Sequence, residues 1–142
     1  TMYLMQSAQA VVFDNLRHAD AAEGRAYLPD VSIIRRDRLP RDPEQRRRGA
    51  VTMVPDLAIE VSSPDDRPSR IADKLVFYLR AGVPLTWIVD PEDRTVTVYQ
   101  PDGSAVTYGG DDVIHARPVL SNFELKLPDL FSVLDEGLDS GT

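Results

Sequence analysis

A mixed α/β fold, with a β-sheet of about six strands flanked by helices, is what the pattern of this 142-residue chain predicts. Three observations lead there. Segments with two-residue hydrophobic alternation recur along the chain, a helical stripe of apolar residues stands between two apolar strand patterns, and proline, aspartate and glycine punctuate the joints.

In order, Ala10-Val11-Val12-Phe13 with Leu16 reads as a first strand, and residues 20–24 as a polar turn. Residues 25–35 read as a second strand forming a hairpin with the first, with Val31 and Ile33 on one face and Asp30, Ser32 and Ile34 on the other. A loop rich in arginine and proline leads to a strand over residues 55–62. There Leu57, Ile59 and Val61 share one face, and Asp56, Ala58, Glu60 and Ser62 the opposite one. Residues 63–69 carry helix-start chemistry and Gly82 with Pro84 a stop, and between them Ile71, Leu75, Tyr78 and Leu79 form the apolar stripe. The apolar strand over 85–90 then completes a β-α-β crossover, so it should pair in parallel with the strand at 55–62. Residues 95–100 return by a hairpin, Pro101-Asp102-Gly103 turns the chain into a short strand at 105–108, and Phe123, Leu125 and Leu127 alternate once more. A short closing helix is expected at 130–134, with a frayed end over 135–142. The whole is expected to be one domain, residues 1–142. The doubled Pro-Asp, at 29–30 and 55–56, is too short to signal duplication.

The absence of cysteine excludes disulfides and thiolate metal sites, and two histidines, His18 and His115, are little material for a zinc centre. Any metal should therefore be held by oxygen. No apolar run approaches the roughly 20 residues that cross a bilayer, and no basic segment followed by an apolar stretch opens the chain, so no membrane partner and a cytoplasmic location are expected. The net charge of −7 argues against coating nucleic acid through bulk positive charge. That charge is uneven: seven arginines (35, 36, 38, 41, 46, 47 and 48) face only Asp37, Asp42 and Glu44. Alone, such a segment reads as a solvated loop. Beside an acidic metal site, Arg35, Arg36, Arg46, Arg47 and Arg48 would contact phosphates.

Asp56 and Glu60 lie on one strand roughly 13 Å apart and cannot grip one ion together. Asp30 and Glu60 can, if their strands are neighbours about 4.8 Å apart. Lys74 falls on the shoulder of the helical stripe, where its stem can cross apolar surface and its ammonium reach the strand end bearing Glu60; Asp73 points to solvent. Two carboxylates on an oxygen-ligated divalent ion, with an ammonium nearby, are the parts of metal-assisted phosphodiester hydrolysis. The plain alternative is N-capping and surface ion pairs.

The run 55–64, then Lys74, Tyr78, Ala81-Gly82-Val83 and Trp87-Ile88-Val89-Asp90-Pro91, preceded by Pro29-Asp30-Val31 and followed by residues 120–131, resembles the Uma-two family of endonucleases in the restriction-endonuclease-like, PD-(D/E)XK superfamily. The resemblance implies a restriction-endonuclease-like mixed sheet flanked by helices, an Mg²⁺ or Mn²⁺ cofactor and DNA as substrate. It places Asp30 and Glu60 at the catalytic and metal-binding acidic positions. Ser62 stands where the usual motif has lysine, and Lys74 on the following helix is the residue at the migrated position. Asp56 also matches the family, and distance assigns it, with Ser62, a supporting place behind the ligands. Relatives carry a longer amino-terminal portion, so a sheet face left uncovered here would favour a homodimer. The competing reading is a catalytically silent nuclease-like fold that binds nucleic acid or protein; a small acidic-substrate hydrolase has no nucleophile motif behind it. His115 reads as surface, Trp87 and Tyr78 as core, Asp90 as turn chemistry, and Asp14 as the one upstream acid able to supply a further ligand.

Overall fold

Alternation and the single helical crossover produce a six-stranded sheet in the order β1-β4-β5-β6-β7-β8, in a computed structural model that describes residues 10–14, 16, 18–20, 25–117 and 119–140. The elements are β1 (Ala10–Asp14), β2 (His18–Asp20), β3 (Arg25–Tyr27), β4 (Val31–Arg35), α1 (Pro43–Val51), β5 (Leu57–Val61), α2 (Pro68–Ala81), β6 (Leu85–Asp90), β7 (Thr95–Tyr99), β8 (Ala105–Gly109), β9 (Val113–Ala116), β10 (Leu120–Lys126) and α3 (Leu127–Ser140). Among the described residues only β5 and β6 pair in parallel, Glu60 opposite Ile88, and the chain between them is the crossover through α2. Gly82, at φ 85°, ends α2 in the left-handed conformation that glycine adopts without a Cβ penalty.

One face of the sheet carries Ile33, Leu57, Ile59, Leu85 and Trp87, sealed by the β9–β10 hairpin and by α3 through Leu127, Leu130 and Phe131. The other face is covered in two pieces. Tyr78 of α2 packs with Val83 on Ala58, and Ala50 of α1 packs among Phe13, Leu16, Ile34 and Leu39. Polar side chains lie on this second face, where Ser32, Glu60 and Thr86 are fully buried beside the helices. None of the helices among the described residues is long and apolar enough to cross a membrane.

The structure departs from the sequence reading in four places. The expected strand at 25–35 is broken: β3 pairs with β2 in a separate two-stranded sheet, and β4 alone joins β1. Pro29 explains the break, since it has no N–H for a ladder bond. The expected arginine loop contains a 3-10 turn at Arg36–Arg38 and then α1, whose start is capped by Asp42 accepting from the Glu44 N–H at 3.1 Å with Pro43 in the first turn. With only Ala50 buried, α1 has no apolar stripe for periodicity to reveal. Strand β9, unforeseen, pairs with β10. The closing helix is longer than expected: α3 starts at Leu127, with Pro128 in its first turn, and continues through Asp135 to Ser140 instead of fraying there. Of the turn expected at 20–24, Asp20 instead ends β2, and residues 21–24, like the amino-terminal residues 1–9, lie outside the described residues.

Candidate active site

Strands β4 and β5 are antiparallel, with Val31 opposite Ile59, Ser32 opposite Ala58 and Ile33 opposite Leu57. One step further along the same register sets Asp30 against Glu60. The hydrogen bonding agrees: Asp30 Oδ2 accepts from the N–H of Val61 at 2.7 Å, so the carboxylate lies at the end of β5 next to Glu60.

Glu60 is 0% exposed. Its carboxylate would be costly there without partners, and α2 supplies two. Lys74 Nζ lies 3.2 Å from Oε1 and 3.3 Å from Oε2, and also donates to the carbonyl of Leu28 at 3.1 Å. The hydroxyl of Tyr78, one helical turn on, donates to Oε1. Lys74 remains 24% exposed, its stem along the helix flank and its head at the carboxylate. Burial pushes the Glu60 carboxyl above its ordinary range; the Tyr78 hydrogen bond opposes this, the Asp30 charge adds to it, and the Lys74 charge opposes it. Two neighbouring carboxylates, one fully buried, make a place where positive charge is favourable.

Asp56 sits at the opposite end of β5. Its Oδ2 accepts from the Arg35 N–H at 2.8 Å and pairs with the Arg38 guanidinium at 2.8 Å. Ser62 ties the end of β5 to β6, its N–H and its hydroxyl both donating to the Val89 carbonyl at 2.8 and 3.2 Å. Arg35, the arginine on the strand of this pair, does not lie beside Asp30. Arg35 ends β4, five residues or roughly 16 Å along the strand from Asp30. Arg36, Arg47 and Arg48 are exposed, Arg46 is half-buried with bonds to the carbonyls of Pro40 and Arg41, and Arg35 pairs with Asp37.

Tyr78 is in the core, as its pattern indicates, yet its hydroxyl belongs to the site. The available signal was its spacing of four from Lys74, which puts both on one side of α2. A buried pair went unread altogether: His18 Nε2 lies 2.7 Å from Ser32 Oγ, and Nδ1 3.0 Å from the carbonyl of Met53. Because a carbonyl only accepts, Nδ1 carries the proton and Ser32 donates to Nε2. Both residues are fully buried, and burial lowers the histidine's pKa, so the pair joins β2 to β4 as a neutral tie rather than an exposed nucleophile. Asp14 continues the face of Ala10 and Val12, away from Glu60. His115 is exposed, 3.7 Å from Glu124. Asp90 accepts from the N–H groups of Glu92 and Asp93, as turn chemistry requires.

Comparison with known proteins agrees with this architecture. The family model Uma2, described as "Putative restriction endonuclease", matches residues 3–128. The chain belongs to the Uma2 family. A crystal structure described as a putative nuclease belonging to DUF820, from Anabaena variabilis, is similar with a TM-score of 0.75 and 28% identity, over 88% of this chain and 69% of that one. No curated protein matches. The fold is the mixed α/β fold of these nuclease-like relatives, and Asp30, Glu60 and Lys74 meet at one end of its β4–β5 pair.

Proposed function

We propose that this Uma2 chain is a metal-dependent nuclease that hydrolyses phosphodiester bonds of DNA, with Asp30, Glu60 and Lys74 as its catalytic residues. The observation that carries the reading is the convergence of residues distant in sequence: Asp30 on the Val61 N–H, and Lys74 on both oxygens of Glu60.

The donor set fits a hard divalent cation. Among the described residues no group of three or more His, Cys, Asp or Glu could hold a metal ion. Two adjacent carboxylates are the sparse oxygen set that suits Mg²⁺, which keeps several waters and takes further oxygens from substrate phosphates. Asp30 and Glu60 would hold Mg²⁺ or Mn²⁺, which when bound supplies Lewis-acid activation of the phosphodiester and of a water. Lys74 is placed to share its ammonium with a phosphate oxygen as negative charge builds there. The water oxygen forms the new bond to phosphorus, the ester P–O bond breaks, and the leaving ester oxygen ends protonated. Asp56 and Ser62 hold the two ends of β5 and do not touch the reacting atoms.

The reading extends to one domain over residues 1–142 working as a homodimer, although the bare sheet face that would favour one is absent among the described residues, both faces being covered; a sedimentation profile at monomer mass would remove the dimer. A second reading is favoured by the exposed arginines, Arg35 at the far end of β4 and Arg36, Arg47 and Arg48 after it in the chain, which can bind nucleic acid without any turnover at Glu60. Nicking of supercoiled plasmid in Mg²⁺ separates the two. Glu60→Gln should lower the rate at least about 100-fold. Unchanged cleavage would reject the assignment, and a parent protein that binds DNA without cutting it would establish the silent module.

A further inference from the structure

Two hydrogen bonds at the acidic pair have the same form. Asp30 has one oxygen, Oδ2, held by a protein donor, the Val61 N–H at 2.7 Å. Glu60 has one oxygen, Oε1, held by the hydroxyl of Tyr78. Lys74 does not distinguish the oxygens of Glu60, since it stands 3.2 Å from one and 3.3 Å from the other. Tyr78 does. We propose that Tyr78 is the positioning residue of the acidic pair: its hydroxyl fixes Oε1 of Glu60 and thereby turns Oε2, together with the free oxygen of Asp30, toward the cation. This rests on the metal-dependent reading above.

The chemistry of the packing supports a role beyond filling space. Tyr78 is fully buried against Ala58 and Val83, where the ring of phenylalanine would pack equally well and would leave no hydroxyl to satisfy. Glutamate has three rotatable side-chain bonds, and a carboxylate held only by an ammonium bridging both oxygens keeps freedom of rotation about the last of them. A phenol fixed by core packing removes that freedom before any ion arrives, so less order remains to be imposed on binding. Lys74 and Tyr78 divide the work on one side of α2. The half-buried lysine head can move from carboxylate to phosphate as a cation takes its place, while the tyrosine stays in the core.

The test is calorimetric titration of Mn²⁺ into the parent protein, Tyr78→Phe and Asp30→Asn, with the electron paramagnetic resonance spectrum of the bound ion and the steady-state kinetics of plasmid nicking. Tyr78→Phe should keep the circular dichroism spectrum, bind Mn²⁺ roughly 10- to 100-fold more weakly, alter the Mn²⁺ spectrum, and lower kcat with KM for DNA little changed. Asp30→Asn should abolish the binding heat. If Asp30→Asn binds Mn²⁺ like the parent, the metal-dependent reading itself fails. If Asp30→Asn abolishes binding while Tyr78→Phe matches the parent in affinity and spectrum, only the role of Tyr78 is overturned. Should Tyr78→Phe not fold, the parent labelled with 3-fluorotyrosine answers the same question, its Tyr78 fluorine resonance assigned by substituting the other four tyrosines. A shift on Mg²⁺ addition that follows the calorimetric affinity supports the proposal, and a resonance that does not move overturns it.

Discussion

The two ends of the β4–β5 pair are built from the same device and have different surroundings. Each strand is preceded by Pro-Asp, and because the strands are antiparallel the two aspartates fall at opposite ends. Each accepts the backbone N–H just past its partner strand's paired residues: Asp30 from Val61, Asp56 from Arg35. At one end the neighbour is a second carboxylate, fully buried, with an amine and a phenol on it. At the other it is Arg38, whose guanidinium neutralises Asp56 outright. One carboxylate with one cation closes a strand pair; two carboxylates with a single ammonium between them leave room for a further cation. The sequence motif is thus common to both ends, and what separates them is the second carboxylate, Glu60 of β5 itself, which leaves two acids to the one ammonium of Lys74 where Arg38 has one acid to itself.

The largest expected effect separates the two ends directly. Asp30→Asn should abolish Mg²⁺-dependent nicking, at least about 100-fold, while Asp56→Asn keeps the rate within a small factor and instead costs about 1–3 kcal/mol of stability, read by urea unfolding. Equal losses of activity would break the comparison. Lys74→Ala comes next: turnover should fall by at least about tenfold while Mn²⁺ affinity stays the same or rises, because a competing cation has left Glu60. Weaker Mn²⁺ binding in that variant would make the lysine a support for the ligand rather than a partner of the phosphate. A smaller effect belongs to the arginine end. Arg47→Ala with Arg48→Ala should weaken DNA binding evenly across sequences and reduce the salt slope by about 1–2, with kcat unchanged. A collapse of kcat would mean that substrate phosphates at both ends take part in one reaction.

The smallest effects are in stability against pH, and they have opposite signs. Burial raises the Glu60 carboxyl, so the native state holds its proton longer than the unfolded chain does. This contribution is fully present below 4.5 and is lost as pH rises through the native pKa, and Glu60→Gln should remove that slope. Burial lowers His18, so its contribution is present above 6.5 and declines as pH falls from there through the native pKa. His18→Gln should flatten that decline in thermal melts, and an unchanged profile would show that the histidine does not tie β2 to β4.

What the sequence made legible follows from which forces act locally. The alternation over residues 57–61, the apolar run at 85–90 and the stripe of α2 reflect burial over short stretches of chain, so the parallel crossover is readable, and with it the side of α2 that carries Lys74. Asp30 and Glu60 were joined by the same arithmetic, one strand spacing against four rises along a strand. Helix α1 escaped because it is held by its cap and by Ala50, not by a stripe, although Asp42-Pro43-Glu44 announces a helix start. The arginines stand out as a cluster, but composition does not encode where strand geometry puts them, and Arg35 falls at the end of β4 remote from Asp30. Tyr78 was read as core because its ring is core; only its last atom belongs to the site.

The interruption at Pro29 has a consequence for the lysine. A strand continuous from Arg25 to Arg35 would commit its carbonyls to ladder bonding, whereas here the Leu28 oxygen, in the gap between β3 and β4, holds the Lys74 ammonium. The ammonium of Lys74 is thus held from two sides, by Glu60 and by a carbonyl that the gap in the neighbouring strand leaves open. Any change that let β3 and β4 zip into one strand would take from that amine one of its two anchors without altering a single acidic residue.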